Sequence, residues 1–324
     1  MSRILSGMRP TGPLHLGHLL GALENWKTLQ ESHECFFMVA DLHALMGEYE
    51  NPANIRNFSL KMVEDWITCG IDPKKSTVFI QSEVPEHAEL ALILGMLTPL
   101  GWLERNPTYK EQLREITGRD LTTYGFLGYP VLQAADILLY KANKVPVGGD
   151  QLAHLELTRE IVRRFNHLYK KDIFPEPEAL LTTEARILGT DRRKMSKSYG
   201  NAINLSDPIQ VSRKKVLSMV TDPERIKATD PGHPEICNVY SYYKIFSDKK
   251  KTLEAFNWCT SAAKGCIQCK GGLADILMNK LEPFQKKAAS QSRTGVEEIL
   301  RQGRERASVV AKETLREVKE LLYL

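Results

Sequence analysis

Arg3-Ile4-Leu5-Ser6-Gly7-Met8-Arg9-Pro10-Thr11-Gly12-Pro13-Leu14-His15-Leu16-Gly17-His18 decides how this 324-residue chain is read. Arg3 to Ser6 is a short apolar run of the kind that forms a buried strand. Gly7, Gly12, Pro10 and Pro13 then shape a tight turn whose backbone amides can approach a ligand. A helical pattern opens at Leu16, and a helix N-terminus favours negative charge. Gly17 lets a ligand lie close to that helix, while His15 and His18 add protonatable donors near charge developing on a phosphate. Taken alone, an ordinary glycine-rich loop with surface histidines accounts for the segment as well.

The same alternation continues to about residue 200. Cys35 to Ala40 and Thr77 to Gln81 read as further buried strands, and Leu16 to Gln30, Pro52 to Cys69 and Glu86 to Leu97 as helices. Pro85 suits a first helical turn, with acidic Glu86 beside it. Strands alternating with helices predict an α/β fold, a doubly wound parallel sheet of Rossmann type, with ligands beyond the carboxyl ends of its strands. After Asn201 the strand signals fade. Val296, Leu300, Ala307, Ala311, Leu315, Val318 and Leu322 form one stripe of an amphipathic helix, read as packing on the domain body. The division expected is a catalytic domain over 1–200 and a C-terminal helical domain over 201–324.

Composition is that of an ordinary globular protein. The formal net charge of +4 permits an anionic partner without demanding one. No secretory signal opens the sequence, and the most apolar window, Leu90 to Leu103, is too short to span a bilayer. A cytoplasmic protein with no membrane partner is the expectation. Six cysteines without an export signal suggest a reducing compartment, with Cys35 and Cys69 as packing thiols.

Lys194-Met195-Ser196-Lys197-Ser198 follows Gly189-Thr190-Asp191 and precedes Gly200. Its two lysines can point at a polyphosphate as flexible point charges, and the neighbouring glycines suit a loop that closes and reopens. With His15-Leu16-Gly17-His18 upstream, the chain resembles the class I aminoacyl-tRNA synthetases in both of their signatures. The resemblance implies that an amino-acid carboxylate attacks the α-phosphate of ATP, that pyrophosphate leaves with Mg2+ on its oxygens, and that the adenylate acylates tRNA. It assigns His15, His18, Lys194 and Lys197 to catalysis.

Between the signatures, Gly128 to Tyr140 and Val145 to Arg159 are similar to the tryptophanyl-tRNA synthetases. Asp136 stands alone in an apolar run, where a carboxylate must be paired or bound. A helix cap or the buried partner of an arginine is the plain alternative. The family resemblance implies that Asp136 accepts the indole N–H of L-tryptophan, and that Tyr129, Gln133 and Gln151 hold the ammonium and carboxylate ends. It gives nucleotide contacts to Arg9, Pro10, Thr11, Gly17, His18, Gly148, Gly149, Asp150 and Ile187. Lys194, Met195, Ser196, Lys197 and Ser198 complete that set. Arg9, His18, Gln133 and Gly149 depart from the residues common in bacterial members. A tyrosyl-tRNA synthetase is the neighbouring reading, and Leu5, at a position where that group carries a tyrosine, argues for tryptophan. A non-catalytic RNA-binding paralogue is opposed by the intact His15, His18, Lys194 and Lys197. A nucleotidyltransferase would lack the helical tRNA-reading domain.

Cys237, Cys259, Cys266 and Cys269 are spaced as a four-thiolate set for zinc or a [4Fe–4S] cluster. Some tryptophanyl-tRNA synthetases resemble this arrangement and carry the cluster, their first spacing being one residue longer. Unconnected thiols are the plain alternative. For tRNA(Trp), the basic segments Ser212 to Lys215 and Lys249 to Lys251, with Tyr240, Tyr242, Tyr243 and Trp258, offer charge and stacking surface. A solvated basic face over an aromatic core explains each equally. The resemblance alone implies a homodimer.

Overall fold

A computed structural model of the chain describes residues 2–115, 120–181, 187–196, 199–289 and 292–324. Five strands, β1 (Arg3–Met8), β2 (Glu34–Val39), β3 (Ser76–Ile80), β4 (Lys144–Val147) and β5 (Glu178–Leu181), form one parallel sheet in the order β3-β2-β1-β4-β5. Leu5 pairs with Phe36, and Phe36 with Thr77. β2 and β3 are buried almost throughout, as strands covered on both faces are, whereas β1 and β4 are partly buried and β5, at the far edge, has exposed ends. The order reverses between β1 and β4. In such sheets the crevice at the reversal point receives ligands. The segments leaving it are Arg9–Pro10–Thr11 after β1 and Gly148 to Gln151 after β4.

The chain divides into two compact units of discontinuous sequence. The first comprises Met1–Gly12, Glu24–Glu184 and Ser292–Leu324. Besides the sheet it holds α2 (Glu24–Leu29), α3 (Asp41–Glu48), α4 (Ile55–Thr68), α5 (Glu86–Leu97), α6 (Leu100–Glu104), α7 (Pro107–Glu115), α8 (Tyr124–Leu139) and α9 (Leu152–Tyr169). The long C-terminal α14 (Arg293–Leu322) belongs here too. It packs on β3 and on α4, α5 and α8. Its stripe of Val296, Leu300, Ala307, Ala311, Leu315 and Val318 is buried, as the sequence spacing predicts. The units therefore do not follow the division at residue 200, because that stripe finds its apolar partner on the sheet. β3 is an edge strand, and α14 covers it, protecting a row of otherwise unpaired backbone groups.

The second unit comprises Pro13–Leu23 and Ala185–Gln291. It contains α1 (Leu16–His18), α10 (Ile209–Leu217), α11 (Asn238–Phe246), α12 (Lys249–Thr260) and α13 (Cys266–Ala289). The sequence pattern gives one helix from Leu16 to Gln30. The backbone instead widens into a π-helical turn over Leu19–Leu23 between α1 and α2. Such widened turns recur at functional sites.

Candidate active site

In the second unit both signatures come together. His15 caps α1: its Nδ1 accepts from the Gly17 N–H at 3.1 Å, and His18 Nδ1 accepts from the His15 N–H at 3.1 Å. A neutral imidazole that accepts at Nδ1 carries its proton at Nε2, so both rings are set as Nε2 donors. The two rings lie against each other, tilted by 37°, with centroids 3.8 Å apart. Glycine is required at position 17, where a Cβ would sit 2.9 Å from His15 Cε1, with Ile187 on its other flank at 3.5 Å.

The capped turn is stitched to the chain that leaves the second signature. Leu16 N–H donates to Ile203 O at 3.1 Å, Leu205 N–H donates to Leu14 O at 2.9 Å, and His15 bridges Asn204. Asn201, buried, shapes the signature loop itself. Its Nδ2 donates to Asp191 Oδ1 (2.7 Å) and to Lys194 O (3.1 Å), and its Oδ1 accepts from the Ser196 N–H (2.8 Å). Gly189 has no room for a Cβ, which would lie 2.2 Å from the Asn201 amide nitrogen. Its carbonyl accepts from Asn238 Nδ2 at 2.8 Å. Lys194 is exposed, Met195 is buried and Ser196 half-buried, whereas Lys197 and Ser198 lie outside the described residues.

The first unit holds the proposed amino-acid residues. Asp136, on α8, is 2 % exposed and held by three side chains. Oδ2 receives His43 Nε2 at 2.8 Å and Gln81 Nε2 at 3.0 Å. Oδ1 receives Gln81 Nε2 at 2.8 Å and His87 Nδ1 at 2.6 Å. His87 Nε2 in turn meets Tyr140 Oη at 2.8 Å. Burial alone raises the Asp136 pKa; the hydrogen bonds from His43 and His87 outweigh it and hold the carboxyl below the usual range. Two histidines and a glutamine, and not the arginine considered from sequence, are the side chains that hold this carboxylate.

Tyr129, Gln133 and Gln151 are half-buried, while Arg9, Thr11, Gly149 and Asp150 are exposed. Leu5, buried on β1, offers no hydroxyl. His43, Gln81, His87 and Tyr140 around Asp136, and Asn201 at the loop, were not singled out from sequence. Gln81 and His87 stood as polar residues closing β3 and entering the apolar α5, a signal that the carboxylate nearby needed donors.

Cys237, Cys259, Cys266 and Cys269 all line one cavity of about 20 Å³, together with Asp222, Arg225, Trp258 and Lys264. Gly232 makes room for the set, since a Cβ there would lie 2.5 Å from Cys259 Sγ. Burial, then the other three cysteines, pushes the Cys269 thiol up to about 12. Among the described residues no three His, Cys, Asp or Glu side chains are grouped as around a single metal ion. Of the suggested RNA contacts, Ser212, Tyr242 and Tyr243 are buried and cannot stack on a base. Tyr242 donates to Leu188 O, and Tyr243 to Cys269 O at 2.9 Å. Lys249 to Lys251 are exposed. Among the described residues no helix is long and apolar enough to cross a membrane.

Residues 1–282 match the family described as tRNA synthetases class I (W and Y). The tryptophan–tRNA ligase of Thermotoga maritima is 48% identical, over 99% of both chains. That of Aquifex aeolicus is 42% identical, over 99% of this chain and all of the relative. Among solved structures, the Campylobacter jejuni tryptophanyl-tRNA synthetase complexed with ADP and tryptophan superposes with a TM-score of 0.91. It is 34% identical and covers 99% of this chain. With the family match spanning most of the sequence and full-length bacterial relatives of one specificity, the chain belongs to the class I tRNA synthetases, on their bacterial tryptophanyl branch.

Proposed function

We propose that this chain is a tryptophan–tRNA ligase, forming tryptophanyl-adenylate from ATP and L-tryptophan and passing the acyl group to tRNA(Trp). The observation that carries this reading is the junction of the capped His15–His18 turn with the Asn201-braced Lys194 loop. Imidazole Nε2 donors and lysine charges held in one unit suit a triphosphate whose negative charge moves as pyrophosphate leaves. Mg2+ on the phosphate oxygens belongs to the same charge balance. Lys197 and Ser198 extend the lysine-bearing loop on the strength of the signature.

Tryptophan is assigned to the first unit. Asp136, fixed as a carboxylate, is the acceptor for the indole N–H, with Tyr129, Gln133 and Gln151 at the amino-acid head. Nucleotide contacts are assigned to Arg9 to Thr11 and Gly148 to Asp150 at the sheet's reversal point in the first unit, and separately to Gly17 and Ile187 in the second. The helical region is read as the part that meets the anticodon. The enzyme is assigned to the cytoplasm as a homodimer, and the exposed apolar side chains Leu92, Met96 and Leu100 suit a surface that a second copy covers.

Tryptophan-dependent ATP–pyrophosphate exchange, tested against all twenty amino acids, decides the specificity. Exchange with tyrosine in place of tryptophan overturns it.

Cys237, Cys259, Cys266 and Cys269 are assigned to a [4Fe–4S] cluster, with zinc the second choice. Four soft thiolate donors on one cavity, with a glycine cradle at Cys259, support that donor set. The group would act as a structural clasp between α11, α12 and α13. Protein purified without oxygen should be brown with about four irons per chain; colourless protein with stoichiometric zinc rejects the cluster.

A further inference from the structure

Tyr129 on α8 meets His154 on α9, and His154 meets Asn106, the residue before α7. The direction of every hydrogen bond in this chain can be read from the end that has no choice. The Thr108 backbone N–H can only donate, and it lies 3.0 Å from Asn106 Oδ1. That contact fixes which end of the amide is oxygen. Asn106 Nδ2 then lies 3.1 Å from His154 Nδ1. An amide NH2 only donates, so Nδ1 is bare and the single proton of a neutral ring sits on Nε2. Nε2 lies 2.6 Å from Tyr129 Oη, so the phenol oxygen accepts there and its own proton points elsewhere.

We propose that Asn106 and His154 are positioning residues that hold Tyr129 with its hydroxyl proton turned away from the protein and toward the substrate. The proposal rests on reading Tyr129 as a substrate-binding residue, and it adds the device that sets its polarity. Unconstrained, a phenol donates to an imidazole, which is the better acceptor, and the hydroxyl proton would be used up inside the protein. Reversed as it is here, the hydroxyl has one proton and one remaining lone pair to offer. That pairing suits a zwitterionic amino-acid head, donating to carboxylate oxygen and accepting from ammonium. The surroundings keep the chain intact. Asn106 and His154 are 5 % and 1 % exposed, while Tyr129 is open enough to touch a ligand. Burial lowers the His154 pKa to about 4 against a pull upward from Asp150, with His43 adding to the fall, so the ring is neutral at physiological pH. Burial likewise raises the Tyr129 hydroxyl, which keeps its proton.

The test combines 15N spectra of the histidine rings, with His154 assigned through His154→Gln, and the KM for tryptophan and for ATP in pyrophosphate exchange. The wild-type enzyme should show His154 protonated at Nε2 and bare at Nδ1; the opposite tautomer overturns the proposal without any variant. Asn106→Asp and Asn106→Leu remove the donor facing Nδ1. In each, the KM for tryptophan should rise about tenfold wherever Nε2 has lost its proton, with the KM for ATP unchanged, and should stay near wild type wherever Nε2 keeps it. A tryptophan KM that ignores the Nε2 proton overturns the positioning role. Tyr129→Phe separates the two layers: a wild-type tryptophan KM there defeats the substrate contact itself, whatever the tautomer.

Discussion

Asp136 Oδ1 and His87 Nδ1 lie 2.6 Å apart, both side chains shut away from solvent. The carboxylate is the hub of a buried polar group rather than an isolated charge awaiting an indole. Removing it leaves His87, Gln81 and His43 facing one another without an acceptor. Asp136→Ala should therefore lower stability by about 3 kcal/mol. It should also abolish tryptophan-dependent exchange while ATP binding survives. Urea denaturation and ATP titration measure the two effects, and wild-type kcat/KM for tryptophan in this variant would remove the indole contact.

Gly17 is pressed against the ring that caps its own helix. A Cβ at that position would meet His15 Cε1 at 2.9 Å and Nδ1 at 3.0 Å. The ring must turn away, and the Gly17 N–H loses its acceptor. Displacement of a transition-state donor by about 1 Å is worth roughly 10²-fold in rate. Gly17→Ala should slow adenylate formation by about that factor and leave tryptophan affinity intact. Single-turnover adenylate formation and equilibrium tryptophan binding separate the two; equal losses in both would mean a collapsed turn.

Asn201 joins the Gly189 turn to the Lys194–Ser196 segment of the loop through both ends of its amide. Asn201→Ala keeps the lysines and removes the brace. The KM for ATP should rise about tenfold, with tryptophan binding unchanged. Asn201→Asp should not rescue it, because a carboxylate cannot donate to Asp191 and Lys194 O. Recovery in that variant would show that the brace does not work through its donor.

What the sequence disclosed and what it withheld divide along physical lines. The strands Arg3 to Ser6, Cys35 to Ala40 and Thr77 to Gln81 fall within a residue or two of β1, β2 and β3, because the buried centre of a parallel strand is a short apolar run. Asp136 was visible as a lone charge in an apolar helix. His43, Gln81 and His87 were not, since they reach it from α3, the end of β3 and α5, and sequence spacing carries no trace of that convergence. The helical stripe from Val296 to Val318 was legible, but not its partner. An apolar face says that something covers it without saying what, so α14 was counted with the helices after 201 when it packs on the sheet. Tyr242 and Tyr243 show the same limit, for aromatic residues beside lysines read alike whether they face RNA or a core.

His154 makes the stability of the first unit depend on pH. Its pKa falls from 6.5 to about 4 on folding, through burial first, with Asp150 opposing and His43 assisting. Tyr129 and Asn106 fill its two ring nitrogens. The unfolded chain therefore binds a proton that the folded chain refuses between those values. The stability is fully present above pH 6.5 and is lost as pH falls toward 4. By pH 5 the loss from this group should be about 2 kcal/mol. Urea denaturation at pH 7 and pH 5 should show a steeper fall for wild type than for His154→Gln. Parallel falls in the two proteins would mean that the ring titrates in the folded state as it does in water.

Gly303 is where α14 touches the sheet most closely. A Cβ there would lie 1.7 Å from the Val78 carbonyl oxygen and 2.6 Å from its carbon. Val78 is in the middle of β3, which is in register with β2 from Ser76 to Ile80, so it cannot retreat without disturbing the sheet. Around this point the helix is pinned by Arg306 donating to Pro73 O at 2.8 Å and by Lys141 against Glu317 at 2.8 Å. Gly303→Ala adds only a methyl group, and on an exposed helix it would stabilise by up to about 1 kcal/mol. Here the helix must lift from the edge strand, which also parts Ala307 and Ala311 from the core they pack into. The expected result is a loss of at least about 3 kcal/mol together with faster proteolysis of the C-terminal helix. Gly95→Ala on α5 serves as the control, since its Cβ would meet nothing within 4 Å. If the two variants are equally stable, α14 does not hold the sheet edge.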